Sequence, residues 1–323
     1  MIKIVTNNQK SWIIQKIKKC NFTITIRIII AIVLLNIICN FSSANSGYTI
    51  YAGSVPITNL DTDNTPTLND YKLVWADEFN RDGSVDTKNW KFEHGFVRNN
   101  ELQWYQPQNA RCSNGMLIIE ARREHLPNPI YSPEGSNWKN KRKSIEYTSA
   151  SLNTAGLQSW KYGRFVMRAR IDTSAGLWPA FWTLGVKGKW PSNGEIDIME
   201  YYRKKLLANI ACATITPSTP QWYSNSKAIK EFAGIDWSEK FHIWRMDWDE
   251  KGISLYVDDE LLNHVELSNL VNQDGSGINP FNKPQYMLLN LAIGGDNGGN
   301  PSYTVFPKHF EIDYVRVYQK CCL

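Results

Sequence analysis

The chain has 323 residues, 42% of them hydrophobic, with 13 tryptophans and a formal net charge of +5; this length suits one large all-β domain or two ordinary ones, and so many indole rings imply that some face a ligand. The charge is local, because six of the 36 basic residues (Lys3, Lys10, Lys16, Lys18, Lys19 and Arg27) and no acid lie in residues 1–44, leaving 30 basic against 31 acidic residues elsewhere. A body so close to neutral excludes nucleic acid as a partner, since phosphate binding draws on a clustered surplus of Lys and Arg.

The N-terminal basic stretch runs into RIIIAIVLL and then NIICNFSSANS, a cationic region, an apolar segment and a small-residue exit at Ser42, Ser43 and Ala44. This is the pattern of a secretory signal over residues 1–44, and the apolar run is shorter than the roughly 20 residues of a spanning helix, so no stable membrane span is expected in the mature chain. Cys39 would be a lipidation site only if a bulky Ile38 were accepted before it. Export permits disulfides, yet the spacing of Cys112, Cys212, Cys321 and Cys322 fits no zinc pattern, and a bridge from Cys112 to the C-terminal pair has no support in the sequence.

Residues 45–70, including PITNLDTDNTPTLND, are polar and rich in Thr, Asn and Pro, as in a linker. Beyond it YKLVWADEF, GMLIIEARR, YGRFVMRARI, EIDIMEYY, FHIWRMDWD, GISLYVDDELL, YMLLNLAIGG and FEIDYVRVYQ alternate or run apolar and are separated by turn residues. Many short strands without a helical period predict a β-sandwich or jelly roll over residues 71–320. Two polar segments, His125 to Ser144 with its basic cluster at Lys139 to Lys143, and Asn272 to Pro284, are expected to be surface connections.

One strand carries the chemistry. GEIDIMEYY places Glu195, Asp197 and Glu200 within six residues, among Ile196, Ile198, Met199, Tyr201 and Tyr202. Side chains alternate along a strand, so Glu195 and Asp197 share a face while Glu200 should point the other way. One bulge restores Glu200 to the first face. The two glutamates then lie about four strand rises apart, roughly 13 Å between α-carbons, and their long side chains can converge to the roughly 5 to 5.5 Å that retaining glycoside hydrolysis uses. One would attack the anomeric carbon while the other, protonated, delivers a proton to the leaving oxygen and later activates water. Asp197 between them would hold the nucleophile, and the crowding of like charges would keep one group protonated.

The motif GEIDIME resembles the active-site signature of glycoside hydrolase family 16, in the longer bulged form of its laminarinase-like members. WADEFN at 75–80, NNELQWY at 99–105, NGMLIIEARRE at 114–124, YTSASLNT at 147–154, YGRFVMRAR at 162–170, GLWPAFWTLG at 176–185 and IDYVRVYQ at 312–319 look like the family's other blocks in the family's order. The resemblance implies a jelly-roll sandwich of two curved antiparallel sheets with an open concave cleft, Glu195 as nucleophile, Asp197 as its supporting acid and Glu200 as general acid/base. It also implies sugar platforms at Trp178, Trp182 and Trp190 on the glycone side of the cleft, with Arg98 and Asn100 as hydrogen-bond donors to sugar hydroxyls. Trp75, Trp244 and Trp248, inside strand-like runs, belong to the core instead.

No cofactor is needed for such catalysis, but the resemblance implies a structural calcium on the face away from the cleft, at Glu78, Gly115 and Asp313, and oxygen donors of this kind suit that ion. The expected partner is β-glucan, cut internally at β-1,3 or β-1,4 bonds by a monomeric, secreted enzyme. The sequence departs from the family where NIACATITPST replaces a block that usually carries Trp or His, which leaves the acceptor side of the cleft open. Two alternatives stand: a galactan hydrolase of the same family, for which a sulfated substrate would call for basic residues in the cleft, and a carbohydrate-binding jelly roll without activity.

Overall fold

The computed structural model describes residues 70–321 apart from Ala233 and Ile235. The expected signal over residues 1–44, Cys39, nearly all of the expected linker and Cys322 lie outside the described residues. The strands are, in chain order, β1 (Tyr71–Asp77), β2 (Lys91–Phe92), β3 (Gln103–Tyr105), β4 (Ala110–Ser113), β5 (Met116–Pro127) and β6 (Ser144–Ser149). β7 (Ser151–Asn153), β8 (Gly163–Ile171), β9 (Leu177–Gly185), β10 (Glu195–Tyr202), β11 (Lys205–Ala213) and β12 (Pro220–Ala228) follow. The last are β13 (His242–Trp248), β14 (Gly252–Val257), β15 (Glu260–Glu266), β16 (Gln285–Ile293) and β17 (Lys308–Lys320). The described α-helices, α1 (Trp138–Lys141) and α2 (Gly295–Gly298), are single turns, so among the described residues no helix is long and apolar enough to cross a membrane.

The strands form two sheets. One has ten strands, in the order β15-β14-β13-β8-β17-β5-β6-β3, with β1 on β17 and β4 on β5; the other runs β12-β11-β10-β9-β16-β7-β2. Every pairing is antiparallel except β3 with β6. The period-two pattern explains why they stack: Phe165, Met167, Ala169 and Ile171 of β8 and Met287, Leu289, Leu291 and Ile293 of β16 all enter one core. Trp244 and Trp248 are fully buried there, as the sequence implies, and Trp75 packs against its edge. A large apolar side chain so placed contributes on the order of 1.5–3 kcal/mol. The expected all-β jelly roll is therefore the observed architecture.

Some segments differ from the reading of the sequence. GISLYVDDELL is not one strand but the β14–β15 hairpin, turned at Asp258, whose φ of 52° an aspartate tolerates better than most residues. The 125–144 segment is not merely solvated. Arg142 donates to the main-chain oxygens of Asn100 and Glu101, so this segment braces the loop that follows β2. Asn272, at the start of the second polar segment, is buried and donates to the Ser192 carbonyl over 2.8 Å. Cys112 and Cys212 are buried free thiols and Cys321 is an exposed one, so no bridge joins Cys112 to Cys321.

Candidate active site

In β10 the register supplies the bulge that the three acids require. Against β9, Asp197 pairs with Trp182 and Met199 with Phe181, which leaves Ile198 as the extra residue; against β11 the register slips over the same span. The side chains of Ile196, Ile198, Met199 and Tyr201 enter the core. Those of Glu195, Asp197, Glu200 and Tyr202 line a cleft of about 580 Å³ on the opposite face. Two successive residues, Ile198 and Met199, thus point inward, which is what a bulge permits and regular alternation forbids.

Cross-strand partners share a face, so the register lays out the cleft floor in rows. The first row reads Tyr286, Leu184, Glu195, Ala211 and Trp222 across β16, β9, β10, β11 and β12. The second reads Leu288, Trp182, Asp197, Asn209 and Ser224, and the third Asn290, Ala180, Glu200, Leu207 and Ser226. The catalytic candidates occupy the middle column.

Each acid has its own donor. Trp190 donates its indole N–H to Glu195 and Trp178 donates to Glu200 over 2.6 Å. Asn209 Nδ2 donates to both Asp197 (3.2 Å) and Glu200 (2.9 Å). Burial pushes all three carboxyls above their ordinary range. It is the main cause for Glu200, pushed up to about 8, with the charge of Glu195 adding to it and the Trp178 and Asn209 donors opposing it. Asp197 is raised well above its usual value by burial and then by the charges of Glu195 and Glu200. Glu195 is raised by burial but held down by hydrogen bonds from Trp190 and Asp197 and by the charge of Arg98. Glu200, at about 8, thus keeps its proton at neutral pH, while the donors on Glu195 and the Arg98 charge favour its ionised form, which is the direction of separation between acid and nucleophile that double-carboxylate hydrolysis needs.

The other expected site residues separate. Trp178, Trp182 and Trp190 all line the cleft, Trp190 with 41% of its surface exposed. Arg98 also lines it, but its guanidinium is paired with Glu93 and lies 5.1 Å from the Trp182 ring, so its charge is spent within the protein. Asn100 does not line the cleft; its amide donates to Asp296 over 3.0 Å, and the neighbouring Asn99 takes the lining position.

The residues expected to hold calcium come together at a strand junction. β1 and β5 pair in succession with the same edge of β17, and the registers Asp77 with Val315 and Leu117 with Ile312 bring Glu78 and Gly115 to one point beside Asp313. Asp313 is itself an extra residue in the pairing of β17 with β8. Both carboxylates are taken by guanidinium groups, Glu78 by Arg316 (2.8 and 2.9 Å) and Asp313 by Arg168. Among the described residues there is no cluster of three or more His, Cys, Asp or Glu side chains fit for a metal.

Several lining residues were not foreseen. Glu101 is buried in the cleft wall, receives a 2.7 Å hydrogen bond from Gln103, and is pushed up to about 7 by burial. Asn290 accepts from Trp182 over 2.7 Å and donates to Tyr105 over 3.2 Å, fixing the ring of Trp182 from below. Asn209 and Trp222 come from β11 and β12, where the alternation of NIACA was the available signal for 209 and 211 facing the acids.

The sequence matches Glycosyl hydrolases family 16 over residues 98–316. A β-glucanase of Rhodothermus marinus is 33% identical over 283 residues, covering 80% of this chain and 89% of that protein. Among solved structures, one reported with endo-acting O-glycanases of the human gut microbiota that initiate mucin breakdown superposes with a TM-score of 0.70 at 34% identity, covering 77% of this chain and 91% of the other. The laminarinase catalytic domain of Thermotoga maritima gives a TM-score of 0.65 at 32% identity over 78% of this chain and all of the other. With the acid strand, the two-sheet architecture and these likenesses in agreement, the chain belongs to glycosyl hydrolase family 16.

Proposed function

We propose that this protein is a secreted, monomeric endo-β-glucanase that cleaves internal β-1,3 or β-1,4 bonds of laminarin-like or mixed-linkage glucan with retention of configuration. The observation that carries the reading is the extra residue at Ile198, which turns Glu195 and Glu200 toward one cleft with Asp197 between them. Glu195 attacks the anomeric carbon, forming a covalent glycosyl-enzyme as the bond to the leaving oxygen breaks. Glu200 gives that oxygen its proton. Water then attacks the glycosyl-enzyme, Glu200 takes a proton from it, and Glu195 leaves as the carboxylate. Asp197, between them, shares a hydrogen bond with Glu195 and holds it in line.

A neutral glucan suits the charge of the cleft. Its walls carry Glu101, Glu195, Asp197 and Glu200 against one lining cation, Arg98, which Glu93 already neutralises. A sulfated galactan would meet no spare cation there. The Rhodothermus and Thermotoga relatives, named β-glucanase and laminarinase, support the same substrate class. A calcium ion at the β1–β17–β5 junction would be held by main-chain oxygens of Glu78 and Gly115 with Asp313, and its part would be to tie those strands together.

The test measures reducing ends released from laminarin, mixed-linkage glucan, agar and carrageenan by the wild type, Glu195→Gln and Glu200→Gln. The two glucans should be cut by the wild type and not by the variants, each of which should lose at least about 100-fold in rate. Equal product from all three proteins would remove the catalytic assignment, and cleavage of agar or carrageenan alone would remove the glucan.

A further inference from the structure

The expected sugar platforms all lie on the β9 side of the acid strand or in the loop before it. Internal cleavage requires sugar to be held on both sides of the bond, and the sequence leaves the other side open at NIACATITPST. The structure provides a floor there. On β11 the register turns Leu207, Asn209 and Ala211 to the face of the acids, and Leu207 and Asn209 line the cleft. On β12, the edge strand of the sheet, Trp222 pairs with Ala211 and so lies in the row of Glu195, two strands away, at roughly twice the inter-strand spacing of about 4.8 Å.

Trp222 keeps 40% of its surface exposed and lines the cleft. An indole on an edge strand with solvent over it gains nothing from the core, whereas a flat apolar face beside a sugar path offers defined contact. Between it and the acids, Asn209 spends its nitrogen on Asp197 and Glu200, which leaves Trp222 as the aromatic face among the lining residues of β11 and β12.

Resting on the glucanase reading above, we propose that Trp222 is the sugar platform of the leaving-group side, stacking on a glucosyl unit beyond the one whose oxygen Glu200 protonates. This side of the cleft is then built from a tryptophan on the edge strand rather than from the β11 block that the family commonly uses. Binding there favours long chains over short leaving groups, and it also favours capture of the glycosyl-enzyme by a sugar acceptor in place of water.

Trp222→Ala and Trp222→Phe separate this from a merely structural role. Two substrates are compared: laminarin, which reaches Trp222, and an aryl laminaribioside, whose leaving group ends one ring past the cleaved bond. For Trp222→Ala the ratio of kcat/KM on laminarin to that on the aryl substrate should fall about tenfold, mainly through KM, with transfer to added laminaribiose falling in parallel. Trp222→Phe should restore most of the ratio. A ratio within twofold of wild type, whether both rates fall together or neither does, would overturn the proposal. Should the wild type leave laminarin intact and cut another polymer of the panel, the glucan reading fails; the same ratio, taken on that polymer and its aryl oligosaccharide, still decides the role of Trp222.

Discussion

Trp178 donates its indole N–H to the Glu200 carboxyl across 2.6 Å, from the strand beside the acid strand. A donor favours the charged form of a carboxyl, so this contact opposes the burial that pushes Glu200 up to about 8. Trp178→Phe should move the alkaline limb of the kcat/KM profile to higher pH. It should also slow the step in which Glu200 gives up its proton, by about tenfold, because the carboxylate formed has lost a partner. A limb that moves to lower pH would contradict this relation between Trp178 and Glu200.

Deleting Ile198 removes the extra residue and returns β10 to strict alternation, which keeps Glu195, Asp197 and Glu200 on the cleft face and Met199 in the core. The two glutamates remain about four strand rises apart, so the deletion variant should stay active, with a lower melting temperature from the lost core side chain. Replacing Ile198 with valine keeps the register and removes one methylene from the core, at a cost of about 0.5–1.5 kcal/mol. The valine variant should stay active too. Reducing-end release checks both, with melts to confirm folding. A folded deletion variant that loses at least about 100-fold, the usual contribution of a positioned general acid, would contradict the placing of the acids by alternation.

Glu200 also makes stability depend on pH. Its folded value, about 8, is above the ordinary 4.5, so the protonated form is the one the fold prefers. The contribution is fully present below about pH 4.5 and is lost as pH rises through 8. Glu200→Gln removes this loss and should melt higher than wild type at pH 9, with the two curves converging near pH 4.5. Thermal melts over that range check it, and a variant that gains stability toward acid instead would contradict the raised value.

A cation at the junction of β1, β5 and β17 would bind the folded chain alone and raise its melting temperature by mass action. Chelation should therefore lower the melting temperature by several degrees, and added calcium should restore it. Asp313→Asn should blunt the response. A melting temperature indifferent to chelator and to calcium would remove the ion from the account.

The acid strand was legible because its pattern conflicts with itself: three charges among five strand-forming residues are tolerable only if one bulge gathers the charges on one face, and Ile198 supplies it. The core strands were legible from period two, as in β8 and β16. The loops were not, because their roles depend on partners distant in sequence. Arg142 looked like one cation in a solvated cluster, yet it holds the carbonyls of Asn100 and Glu101 some forty residues earlier. Asn100 and Asn99 are indistinguishable in a sequence, and both take a left-handed φ, of 50° and 53° respectively; only their partners in the fold show Asn99 lining the cleft and Asn100 turned to Asp296. Trp222 gave no signal because an isolated tryptophan on a polar strand does not reveal that its row contains Glu195.

The assignment of Glu195 as nucleophile and Glu200 as acid/base is tested most directly by the configuration of the first sugar released. Proton NMR of a glucan digest, recorded before mutarotation, should show the new reducing end appearing as the β-anomer and drifting later toward the equilibrium mixture. Initial appearance of the α-anomer would mean that water attacks without a glycosyl-enzyme, and Glu195 would not be the nucleophile.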